Sequence, residues 1–178
     1  MKMLVRWIDR LSFSGGVLAG VMLCAGLVFV VIEIVLRTGF SSTLFVTEEY
    51  SGYLMCGLTF CALGYTLSQK GHIRMTFLLK IVQGRPRIYL DIVCFTVGLV
   101  FCVGLTYFIT LFFWDSVVSR SQSMQISETY LAIPQFFMLL GSFLMTFQFF
   151  GEILRAIDLL KNWTDESALR EESDALGR

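Results

Sequence analysis

The chain has 178 residues, 56% of them apolar, with 17 Phe and 8 Met against 14 basic and 14 acidic side chains. Soluble domains average about 45–50% apolar and about 25% charged residues, and so few charges cannot clothe such an interior in water. A soluble domain and a disordered chain are therefore excluded, and a formal charge of zero leaves no basic field to gather nucleic acid.

Four long stretches, 13–36, 48–67, 89–114 and 134–154, hold almost none of the charges. Each is near the ~20 residues that cross hydrocarbon as a helix. Runs such as 17–32 are apolar all round rather than alternating, so they must satisfy their backbone internally as helices, not as barrel strands. The expected fold is an all-α integral membrane protein with four transmembrane helices. It forms a single membrane domain over 1–161, followed by a polar, net acidic tail over 162–178.

Ahead of the first span, Leu4, Trp7, Ile8 and Leu11 recur at helical spacing, with Lys2, Arg6 and Arg10 elsewhere on the helix. This predicts an N-terminal interfacial helix lying on the inner leaflet. The apolar run that follows is longer than a signal-peptide core and lacks an A-x-A site, so it is read as a retained anchor. Near its outer end Glu33 and Arg37 stand at i,i+4, a spacing at which the side chains meet. An intramembrane carboxylate is a candidate proton site; the adjacent Arg makes a structural pair the simpler reading.

The second span opens with Thr47 as the expected cap and Glu48 and Glu49 in the first turn, where the helix dipole favours carboxylates. The two diverge by about 100° around the helix, so one serves the helix end while the other turns toward Arg37 or a partner. Between the second and third spans, residues 72–82 are rich in apolar residues, including Ile73, Phe77 and Leu78. Too short to span, they predict an amphipathic arm in the interface or on a partner. The cysteines Cys24, Cys56, Cys61, Cys94 and Cys102 all fall inside spans and read as packing residues. Small residues repeat at i,i+4 in Gly16/Gly20/Cys24, Gly57/Cys61 and Gly98/Cys102, stripes that let membrane helices approach closely.

Orientation follows from Lys and Arg. Twelve lie before the first span, between the second and third, and after the fourth; Arg37 and Arg120 alone lie on the other side. Both termini and the arm are therefore expected in the cytoplasm, with 41–47 and 119–128 outside, where Arg120 and Glu128 are candidate docking contacts. Catalysis is not expected. His72 is the only histidine, which removes bis-His haem and two-His metal motifs, and no cofactor, metal or phosphate loop is indicated.

Several local runs share one order. Arg37-Thr38-Gly39 follows the first helix, Thr47-Glu48-Glu49-Tyr50 opens the second, Gly64 and Gln69-Lys70-Gly71-His72-Ile73-Arg74 follow, and Leu131-Ala132-Ile133-Pro134 enters the fourth. In this the chain resembles the small permease subunit, DctQ-like, of tripartite ATP-independent periplasmic (TRAP) transporters. The resemblance implies a bacterial inner-membrane complex with a large permease subunit and a periplasmic solute-binding protein, importing an organic acid with sodium. It implies no substrate or sodium site on this chain. It marks Arg37, Glu48, Glu49, Gly64, His72, Ile73, Arg74 and Pro134 as interface or structural residues, to which the apolar arm adds Phe77. The alternative is an autonomous proton-coupled four-helix transporter using Glu33; an anchor for an electron-transfer enzyme is disfavoured by the single histidine.

Overall fold

A computed structural model describes residues 2–40, 42–43, 46–69, 85–125 and 127–161. The arm residues His72, Ile73, Arg74 and Phe77, and the tail 162–178, lie outside the described residues. Four helices make up the fold: α1 (Lys2–Phe40), α2 (Val46–Ser68), α3 (Arg85–Val118) and α4 (Ala132–Lys161). At 39, 34 and 30 residues, α1, α3 and α4 run for about 58, 51 and 45 Å, well beyond the ~30 Å of hydrocarbon. These three are long and apolar enough to cross a membrane; α2 falls short of the same measure.

The shortfall of α2 has a packing reason. Its Gly, Ser, Thr and Tyr residues dilute its apolar content, and α2 lies between α1 and α4, which pack on it extensively. A helix screened by neighbours needs less apolar surface than one facing lipid. At the far side α3 packs on α4, and its remaining surface, including Val93, Val97, Val100, Phe101, Phe108 and Phe112, is exposed apolar side chains.

The interfaces are built on small residues. A Cβ at Gly141 of α4 would overlap the Phe60 carbonyl and lie 2.7 Å from the Cys61 nitrogen, so here the backbones of α2 and α4 touch. Gly64 of α2 meets the backbone of Leu144, Gly15 of α1 meets the Cys61 carbonyl, and Gly98 of α3 meets the Phe149 ring. Between α3 and α4 the Thr106 and Thr146 hydroxyls bond at 3.1 Å, a polar link of the kind lipid-embedded helices use.

Two sequence expectations change. The N-terminal amphipathic stretch is no separate element but the first turns of α1, which continues unbroken to Phe40. Nothing between Leu11 and Ser14 interrupts a helix, and Ile8 and Ser12 are buried, Ile8 against Gly151 of α4. The contact face of α1 is also not Gly16/Gly20/Cys24. Only Gly16 packs closely, against the Tyr65 ring, while Gly20 has open space and Cys24 is exposed. A strict i,i+4 series drifts about 40° per step around the helix; the buried series Ile8, Ser12, Gly15, Ala19, Met22 alternates steps of four and three and stays on one face.

Candidate functional site

Among the described residues, the Asp, Glu, Lys and Arg side chains gather at the two ends of the bundle. No Asp, Glu, Lys or Arg occurs in 11–32, 50–69, 92–114 or 129–151, so the chain has two polar ends and an uncharged middle.

At the end bearing Arg37, Glu33 turns back from the last turns of α1 toward α2. It accepts the Thr47 hydroxyl at 3.3 Å and stands 3.5 Å from Arg37. The first helical residue of α2 is Val46, so Thr47 sits inside the first turn, buried, and its hydroxyl serves Glu33 rather than capping α2. Arg37 is 68% exposed, and screened pairs of this sort contribute about 0–1 kcal/mol. Arg37→Ala is accordingly expected to shift the melting temperature of the detergent-solubilised chain very little. A large drop would mean that Arg37 carries a burden the exposed pair does not account for.

The acidic pair divides. Glu48 is exposed, whereas Glu49 is 6% exposed and points inward, accepting the Tyr53 hydroxyl at 2.6 Å and the Ser127 hydroxyl. Ser127 belongs to the α3–α4 connection, 119–131, of which the sequence marks 119–128 only as an outer segment with candidate docking contacts. Its described residues, 119–125 and 127–131, form a built hairpin: Gln122 pairs antiparallel with Tyr130, Ser123 N–H bonds the Thr129 carbonyl at 2.9 Å, and Leu131 N–H bonds the Ser121 carbonyl at 3.1 Å. The Tyr130 hydroxyl reaches the Val117 carbonyl at 3.0 Å and so satisfies one of the orphan acceptors at the end of α3. Pro134 is buried in the first turn of α4, where a missing N–H costs nothing. Arg120 and Glu128 are both exposed and both left-handed, with φ of 48° and 47°.

At the opposite end lies a cluster that sequence reasoning missed. Gln148 of α4 is fully buried; its carbonyl accepts the Ser12 hydroxyl at 2.6 Å, and its amide donates to Asp9 at 3.2 Å and Glu152 at 3.3 Å. Arg155 completes the cluster, donating to Glu152 at 2.5 Å and to Asp9. Beside it opens a cavity of about 350 Å³ lined by Asp9, Arg10, Phe13, Ser68, Gln69 and Arg155. The available signal was the recurrence of Asp9, Ser12, Gln148, Glu152 and Arg155 at one-turn spacings, but nothing in one sequence says that the two helices meet there. Among the described residues no group of His, Cys, Asp and Glu is arranged to hold a metal.

These features are an uncharged middle, close-packed backbones, polar clasps at both ends and exposed apolar flanks. The family described as "Tripartite ATP-independent periplasmic transporters, DctQ component" matches residues 26–159, three quarters of the chain. The chain belongs to the DctQ family. It is therefore a small membrane subunit of a TRAP transporter, and a multi-pass membrane protein. Neither a curated protein nor a solved structure matches it. The match runs from the C-terminal half of α1 to within the last turn of α4, taking in both acidic residues of α2, the hairpin and Gln148, Glu152 and Arg155 of the clasp, but not Asp9 or Ser12.

Proposed function

We propose that this DctQ subunit is the stationary scaffold of a sodium-coupled, binding-protein-dependent importer of an organic acid in the bacterial inner membrane. It holds a large permease subunit in place and carries no substrate or sodium site of its own. The observation that carries the reading is the uncharged middle of the bundle, since a transport site wants polar groups and interrupted helices near the midplane. Glu33 fits that division: it is engaged by Thr47 and Arg37 at the end of the bundle rather than open to a central cavity.

All four helices cross the membrane in this reading, α2 screened by its neighbours, and both termini are cytoplasmic with the arm. Reporter fusions test this: a periplasmic-active reporter fused after Arg178 is expected to be silent, and one inserted at Met124 active. The reverse pattern would invert the topology.

The exposed apolar surface of α3 and the arm 72–82 form the grip on the large subunit. In the arm, Arg74 reaches a phosphate or an acidic partner group, His72 lies near the headgroups, and Ile73 and Phe77 bury apolar surface. Gly64 and Pro134 hold the bundle that presents them, and exposed Glu48 is open to the partner. The outer connections, with Arg120 and Glu128, dock the periplasmic solute-binding protein. Arg74→Glu combined with Phe77→Asp is expected to abolish co-purification of the large subunit, while Glu33→Gln leaves sodium coupling and substrate affinity within about twofold of wild type, under 0.5 kcal/mol. Loss of coupling in Glu33→Gln, in an intact complex, would instead favour the autonomous proton-coupled transporter.

A further inference from the structure

The two carboxylates that open α2 have different surroundings, and the buried one reaches across to the hairpin. We propose that Glu49 is a positioning residue that presets the 119–131 hairpin as the docking element for the periplasmic solute-binding protein; this rests on the docking role proposed above and names the residue that shapes the surface.

The hairpin backbone holds a form that its residues' own preferences disfavour. It passes through left-handed conformations at Arg120 and Glu128, neither of them glycine, and such residues persist only where their surroundings fix them. Ser127 immediately precedes Glu128, and its hydroxyl is bound by the Glu49 carboxylate. The same hydroxyl is 2.8 Å from that of Thr129, which in turn donates to the Tyr50 hydroxyl at 3.2 Å. Two neighbouring residues of α2, Glu49 and Tyr50, therefore hold the residues on either side of Glu128. Because Glu49 also accepts from Tyr53 one turn along α2, its own rotamer is fixed before it meets Ser127.

What the hairpin presents suits a soluble protein. Met124 is fully exposed at the tip between Ser123 and Gln125, with Gln122 exposed beside them. An adaptable, exposed apolar side chain flanked in the chain by polar residues suits a protein contact, and it lies on the face assigned to the periplasm by the Lys and Arg count. A rigid hairpin also loses less freedom on docking, so its order contributes to affinity.

The test uses the small subunit co-purified with its large subunit, with amide exchange on the complex and uptake in proteoliposomes as the solute-binding protein is titrated. Glu49→Gln and Ser127→Ala are each expected to speed exchange at the Ser123 and Leu131 amides about tenfold, the effect of losing one hydrogen bond to a charged group, while α2 and α4 stay protected. The binding-protein concentration for half-maximal uptake should rise roughly three- to tenfold with maximal uptake unchanged, and Ser127→Thr, which keeps the hydroxyl, should restore both. Unaltered exchange in Glu49→Gln overturns the proposal. So does faster exchange with unaltered half-saturation. In that case Arg120→Glu with Glu128→Lys separates the two readings: if that pair raises the half-saturation, docking stands and the role of Glu49 falls; if it does not, both fall.

Discussion

Gly141→Ala is expected to destabilise the detergent-solubilised subunit by about 2–3 kcal/mol or more, the upper range of overpacking costs, while Gly20→Ala in α1 stabilises it by about 0.5–1 kcal/mol. Both substitutions add one methyl to a helix, and on propensity alone both should help. The difference is what the methyl meets. At Gly141 it meets the Phe60 carbonyl and the Cys61 nitrogen, which are backbone atoms that move only if α2 and α4 separate; at Gly20 nothing lies within 4 Å. Separation would also pull Gly64 from Leu144 and Cys61 from the Phe137 carbonyl, 3.8 Å away. In lipid the lost contacts are not repaid by a hydrophobic drive between the helices. Thermal unfolding of the two variants checks this, and equal shifts of the same sign would dissolve the argument for backbone contact at Gly141.

Arg155→Met is expected to cost about 2 kcal/mol. Removing one partner from a buried ion pair costs about 3–5 kcal/mol, and the lower figure allows for solvent at Arg155 and Asp9, each about one-third exposed. The harm falls on Glu152, whose side chain is 6% exposed and which keeps the buried Gln148 amide as a donor once Arg155 is gone. Glu152→Gln in the Arg155→Met background should recover much of the loss, because it removes a buried charge that has lost its Arg155 partner. Gln148→Leu should be worse than Arg155→Met, since it strips a partner from Ser12, Asp9 and Glu152 at once. Thermal melts of the three variants read this directly. If the double variant falls below Arg155→Met, the clasp is not governed by charge balance.

What the sequence determined by itself is whatever follows from composition and local periodicity. Long uncharged runs must be helical in hydrocarbon, so the all-helical class could be read without knowing any neighbour, as could family membership from the ordered runs around Glu48, Gly64 and Pro134. The i,i+4 approach of Glu33 and Arg37 is equally local, requiring only one helix. Everything that joins two helices was decided by the tertiary structure. Glu48 and Glu49 are chemically identical and adjacent, and only the placement of the 119–131 hairpin makes one exposed and the other the acceptor of Ser127 from 78 residues away. Gly16, Gly20 and Cys24 form as good a stripe on paper as Ile8, Ser12, Gly15, Ala19 and Met22, but a contact face is defined by the partner's surface, and α2 and α4 present theirs to the second set. The clasp of Asp9, Ser12, Gln148, Glu152 and Arg155 joins residues up to 146 apart, and its polar side chains could be told from ordinary interfacial ones only once the first turns of α1 were laid along the last turns of α4.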